Sequence, residues 1–225
     1  MQSVYAFIQS KNTDLGKEEK FLSSSMENMY NLYLTLVSLL VEVQKTAEEQ
    51  LTLSQKKYLA TNEEKNPKRK FIDNPILQQL VNDTVLAEKL ENRHISWELD
   101  EEYVKIIYRA ILESDLYKEY MAKEATDFKD DKKLILDLYQ KVIAPNEKLY
   151  EYIEDKKLTW VDDLPLVNTL LVKMIKKLKK DAPEDYFHPS LFKDQDDKIK
   201  DEPGEGSWQM TLNIIKDPMV ILLGA

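Results

Sequence analysis

At 225 residues the chain can hold one or two domains with a substantial core, and its 32% charged residues and net charge of −9 argue against wholesale binding to nucleic acid or to an anionic membrane. With no cysteine, a disulfide framework and a thiolate site are excluded, which suits a reducing, cytoplasmic setting. Only four glycines occur, with none between Gly16 and Gly204, so turns that need positive φ are scarce and an all-α fold is expected.

In chain order, Met1, Val4, Tyr5 and Ile8 share one face, so a helix is under way at the first residue, with no cap before it and no signal peptide. It is expected to end near Asn12, with Asp14-Leu15-Gly16 as the turn. Leu22, Met26, Met29, Tyr33, Leu36 and Leu40 then step by four and three, a pattern that continues to Leu51. Tyr30 and Val37 widen this seam beyond a coiled-coil stripe, which predicts the central helix of a bundle rather than a homodimeric coiled coil. The apolar run from Leu32 to Val43 is too short to span a bilayer and carries Thr35 and Ser38.

Thr61 to Lys70 reads as a polar connector whose Lys65, Lys68, Arg69 and Lys70 form a basic cluster beside Glu63 and Glu64. Asn74 before Pro75 predicts a capped helix start, with an apolar stripe of Ile76, Leu77, Leu80, Val81 and Leu90 along one helix. Leu99, Tyr103, Ile106, Ile107, Ala110 and Ile111 predict a further helix, and Ser114 a cap for a short one. Phe128 to Asp131 marks the next boundary, and Pro145 stops the helix that follows. Asn146 caps a helix bearing Leu149, Tyr150 and Ile153; a last one runs from near Asp162 to Lys180, closing on the lysines 173, 176, 177, 179 and 180.

A repeat organises these elements. Leu90-Glu91-Asn92-Arg93-His94-Ile95-Ser96-Trp97 is matched 63 positions later by Ile153-Glu154-Asp155-Lys156-Lys157-Leu158-Thr159-Trp160. Each copy reads as helix, polar loop, buried Trp, new helix. Ser96 or Asp100 is the expected cap in the first copy, and a capping box from Thr159 to Asp162 in the second. Both tryptophans are expected to be core anchors. Phe192 to Lys198 restarts the Phe128 pattern, but Pro203, Gly204 and Gly206 then break it. Residues 1–198 are therefore expected to form the helical region and 199–225 an irregular tail outside it, with Trp208 exposed.

For chemistry, His94 and His188 are too few and too far apart for a metal site. Acid pairs such as Glu101-Glu102, Asp130-Asp131 and Asp162-Asp163 fall at helix starts, where the helix dipole explains them. No phosphate loop, nucleophile elbow or zinc motif occurs. No catalytic residue, cofactor or metal is predicted, and the chain is not expected to be an enzyme.

Three motifs in order carry a family resemblance. Gln2-Ser3-Val4-Tyr5-Ala6 with Gln9 resembles the first helix of the NusB antitermination family, and the Trp-x-x-Asp helix starts at Trp97 and Trp160 resemble that family's later Asn-Trp-x-x-Asp-Arg-Ile start. Asn66-Pro67 with Phe71-Ile72-Asp73-Asn74 is similar to the central signature of a long form with an inserted helical block. The resemblance implies an all-helical factor that binds boxA-like RNA with a ribosomal protein partner (NusE) and acts indirectly on RNA polymerase. It places Gln2 and Tyr5 on or near the RNA-facing helix; Lys68, Arg69 and Lys70 are the further RNA-binding candidates. The family's arginine-rich segment would precede Met1, and its last helices are not visible. The alternative is a helical scaffold that binds only protein through its repeat faces.

Overall fold

The computed structural model describes residues 15–56 and 68–180, with side chains from residue 20 onward. Among these residues lie eight α-helices and no strand: α1 (Leu15–Gln55), α2 (Pro75–Val81), α3 (Thr84–Asn92), α4 (Glu101–Glu113), α5 (Asp115–Ala122), α6 (Phe128–Leu138), α7 (Glu147–Lys156) and α8 (Leu158–Lys177). A 3₁₀ turn at Glu98–Asp100 leads into α4, and a π turn at Tyr139–Ile143 ends α6. The all-α expectation holds. The described residues fall into two units, 15–30 in one and the remainder in the other. In the first, Met26, Met29 and Tyr30 are buried and Phe21 is exposed.

In the second unit, burial along α1 is nearly continuous from Leu32 to Val43. A helix enclosed on all sides is a bundle's central helix, not half of a coiled coil. Its two interior hydroxyls are satisfied: Thr35 Oγ1 donates to the Asn31 carbonyl (2.8 Å) and Ser38 Oγ to that of Thr35 (2.9 Å). No described helix is long and apolar enough to cross a membrane. α1 is longer than expected. It begins at Leu15, so Leu15 and Gly16 belong to its first turn rather than to a preceding one. The N-terminal turn of a helix makes few bonds of its own, and glycine is least costly there.

Most of the remaining helices start at side-chain caps, but α4 does not, since the expected cap Asp100 makes no such bond. Asn74 Oδ1 accepts from the Ile76 amide (2.9 Å), Ser114 Oγ from that of Tyr117 (3.2 Å), and Asn146 Oδ1 from those of Lys148 and Leu149 (3.0 and 3.2 Å), each where the sequence places a cap. The single helix expected over 75–90 is instead two. Asp83 is buried and accepts from the Leu86 amide (2.8 Å), which starts α3 afresh. Before Pro145 the last turn of α6 widens, with the Ala144 amide reaching the Tyr139 carbonyl (2.8 Å). α6 packs against α2, α5 and α8, and α4 against α5 and α7.

The repeat holds in sequence but the two copies diverge in backbone. In the first, His94 adopts φ 53°, the left-handed region. The His94 amide then bonds the Glu91 carbonyl (3.0 Å) and the Ile95 amide that of Leu90 (2.9 Å). This pair of bonds is a Schellman stop, with Ile95 and Leu90 as its apolar partners. Trp97 follows in a loop, 3% exposed. In the second copy the aligned Lys157 is extended (φ −165°) and α8 starts at once at Leu158. The expected capping box is absent there, since the cap position is Lys157 and bears no side-chain bond. Trp160 lies in the first turn of α8, only half-buried, and its indole N–H has no partner among the described residues. Two further expectations fail on burial: Leu99 is 97% exposed, and Tyr150 is exposed while Tyr152 faces the core. α8 ends at Lys177, not Lys180. The helix expected at residues 1–10, His188 and the tail 199–225 lie outside the described residues.

Candidate functional site

The basic segment Lys68-Arg69-Lys70 lies against the C-terminal end of α5. Helix C-termini leave carbonyls without partners and carry partial negative charge, so ammonium groups are drawn to them. Lys70 Nζ donates to the carbonyls of Tyr120 (2.8 Å) and Lys123 (2.7 Å) and sits 4.7 Å from the centre of the Tyr120 ring. Burial lowers its pKa from the ordinary lysine value. Lys68 Nζ makes one longer contact, 3.4 Å to the Met121 carbonyl. Arg69 turns the other way, its Nη2 bridging Glu48 (3.0 Å) and Asp73 (3.2 Å). These hydrogen bonds hold the Glu48 carboxyl below its usual range and raise the guanidinium. All three groups of that bridge are largely exposed, so it contributes about 0–1 kcal/mol.

Beneath the segment lies a buried polar cluster that sequence reasoning missed. Tyr120 Oη donates to Asp131 Oδ1 (2.7 Å), and Asn74 Nδ2 donates to the Asp131 carbonyl (3.2 Å). Asn74 is 0%, Tyr120 4% and Asp131 6% exposed. Burial first, then the bond to Asp131, pushes the Tyr120 phenol up to about 12, and burial, with the neighbouring Tyr117 second, does the same for Tyr108. A phenol raised in the fold favours the neutral form, so its contribution is intact below the unfolded value near 10 and is lost as pH climbs toward 12. Phenolate absorbance and loss of helical ellipticity are therefore expected to rise together between about pH 10 and 12. Titration of every tyrosine near 10 with the helices intact would contradict this.

The predicted site residues are thus only partly brought together. Lys68 and Lys70 share the α5 terminus, Arg69 points to α1, and Gln2 and Tyr5 lie outside the described residues. The second lysine cluster is built alike, with its helix end served from elsewhere. Lys132 Nζ donates to the carbonyls of Lys176 and Leu178 (3.1 Å each). Gln79 Nε2 donates to those of Lys179 (3.1 Å) and Lys180 (2.7 Å). Of the acid pairs, Glu101-Glu102 opens α4 as expected, whereas Asp163 on α8 is raised by burial and by its neighbour Asp162.

A groove of about 370 Å³ runs between α1, α3 and α4, also unforeseen. Val81, Leu86, Leu90, Trp97 and Val104 line its apolar part, and Glu42, Lys45, Glu49, Glu98, Glu101 and Lys105 the polar part. Trp97 fixes one wall: its indole N–H donates to Ser38 Oγ on α1 (3.0 Å), and its ring stacks on Tyr152 at 4.6 Å. No cluster of side chains able to hold a metal ion occurs among the described residues.

These features define an all-α protein with a lysine-fastened loop and a mixed-charge groove. No family model, curated protein or solved structure gives a significant match to the chain.

Proposed function

We propose that this protein is a cytoplasmic transcription antitermination factor of the NusB type, binding boxA-like RNA together with a ribosomal protein partner and reaching RNA polymerase through that assembly. Support comes from three motifs in family order on a chain whose described part is all helical. The structural observation that carries the reading is the central signature Phe71-Ile72-Asp73-Asn74. Three of its residues are buried, and Asn74 caps α2 while reaching α6, so the signature is a junction of the fold.

Among the candidate RNA contacts, Lys68 suits a phosphate best, because its hydrogen bond is the longest of the three and its side chain is exposed. Lys70 is held by two carbonyls, and Arg69 sits between two carboxylates that would repel phosphate. Lys68→Ala is expected to flatten the slope of log K against log salt by about 0.7, the value of one phosphate contact on a single strand. Lys70→Ala is expected to leave the slope alone and lower stability. An unchanged slope in Lys68→Ala would remove that residue from the RNA surface. The engagement of these cations within the protein favours the second reading, a scaffold that binds only protein; an absence of boxA RNA binding would support it.

A further inference from the structure

We propose that the groove between α1, α3 and α4 docks a cationic, apolar-faced segment of a partner protein, most simply an amphipathic helix. The groove has a suitable shape. At about 370 Å³ the groove accepts a few apolar side chains, and its lining is fixed by Trp97, anchored to Ser38, and by the Leu90–Ile95 helix stop. Its charge is also suitable. Four glutamates and two lysines line the polar part, and each lysine is matched by one of those acids: Lys45 with Glu42 at 2.8 Å, and Lys105 with Glu101 at 2.6 Å. Glu49 and Glu98 are exposed and form no ion pair among the described residues, although Glu49 adds to the field that raises Lys105; four glutamates against two lysines leave the rim with an acidic surplus. A chain with a net charge of −9 adds to the same bias.

Exposed leucines flank the groove. Leu53, 66% exposed, lies one turn beyond Glu49 on α1 and shares a shallow depression with it. Leu99, 97% exposed, directly follows Glu98. Each surplus acid therefore has an exposed leucine beside it, so the pattern offered is apolar floor, carboxylate, leucine. A helix with apolar residues on one face and Lys or Arg along its margins is complementary to that pattern, the helix-in-groove mode of recognition. None of the candidate RNA contacts lines the groove.

The test uses the full chain and a fluorescent peptide of Leu and Lys at helical spacing, about four turns long. Its counterpart with Glu for every Lys is the control. Saturable binding of the Leu/Lys peptide, at least tenfold tighter than the Leu/Glu one, is expected. Glu49→Lys with Glu98→Lys should weaken binding about tenfold, as two rim charges turn from attractive to repulsive. Glu113→Lys with Glu154→Lys makes the same change in net charge away from the groove and should have little effect. Ala87→Trp fills the groove from exposed Ala87 without altering charge, and should also block the peptide. Equal weakening by both charge pairs, an Ala87→Trp protein that binds normally, or no saturable binding would overturn the proposal. So would sedimentation showing a dimer that Ala87→Trp disperses, since the occupant would then be a second copy of this chain.

Discussion

Trp97→Ala is expected to destabilise the protein by about 3–5 kcal/mol in urea denaturation, the range for deleting a large buried aromatic. Three connections are lost together: the stacking on Tyr152 of α7, the hydrogen bond to Ser38 of α1, and the packing of an indole that is 3% exposed. Ser38 would keep its own bond to the Thr35 carbonyl and lose only the indole donor. Trp160→Ala is expected to cost about half as much or less, because that indole is half-buried and its N–H makes no bond among the described residues. Equal losses at the two positions would mean that the tryptophans are equivalent anchors after all, as their places in the sequence repeat suggest.

The second large effect belongs to Asn74. Its carbonyl oxygen caps α2, and its amide donates to the main chain of Asp131 on α6, all with no exposure to solvent. Asn74→Ala removes a cap, about 1 kcal/mol, and leaves a buried carbonyl without that donor, a further 1–3 kcal/mol. A total of about 2–4 kcal/mol is expected, measured as a shift in the denaturation midpoint. Asn74→Ser restores the cap but not the reach to α6, so it should recover about 1 kcal/mol. A serine variant as unstable as the alanine one would show that the cap contributes little.

These cases also show which features were legible in the sequence. Asn74, Ser114 and Asn146 could be read as caps because the bond each makes lies within three residues. Glycine scarcity and helical periodicity were enough for the fold class. Asp83 was overlooked because a polar pair inside an apolar stripe looks like the wet side of one helix, and only its buried bond to Leu86 marks a new start. The copies of the repeat look equal in sequence because His94 and Lys157 are both polar. Their difference is in φ, where His94 tolerates a left-handed backbone and Lys157 is extended. Leu99 and Tyr150 were misplaced by one or two positions of phase, which is enough to turn a side chain from core to solvent.

The candidate sites were less legible than the fold, for a reason of distance. Lys70 finds its carbonyl partners 50 and 53 residues away, and Arg69 finds Glu48 across 21. A run of cations says nothing about which of them a helix terminus will claim. The groove is assembled from α1, α3 and α4, so no single stretch of sequence announces it. Its charge surplus becomes visible only once Lys45 and Lys105 are seen to be paired.

The central claim, that this chain is an RNA-binding antitermination factor, is tested most directly by one competition measurement. Labelled boxA RNA is bound to the full chain at a single fixed salt concentration and displaced with unlabelled boxA or with a shuffled RNA of equal length and composition. Because both competitors carry the same phosphates, the electrostatic part of the affinity cancels and only base recognition remains. The account predicts that boxA displaces the label at least tenfold more effectively than the shuffled strand. Equal displacement, or no RNA binding at all, would contradict it.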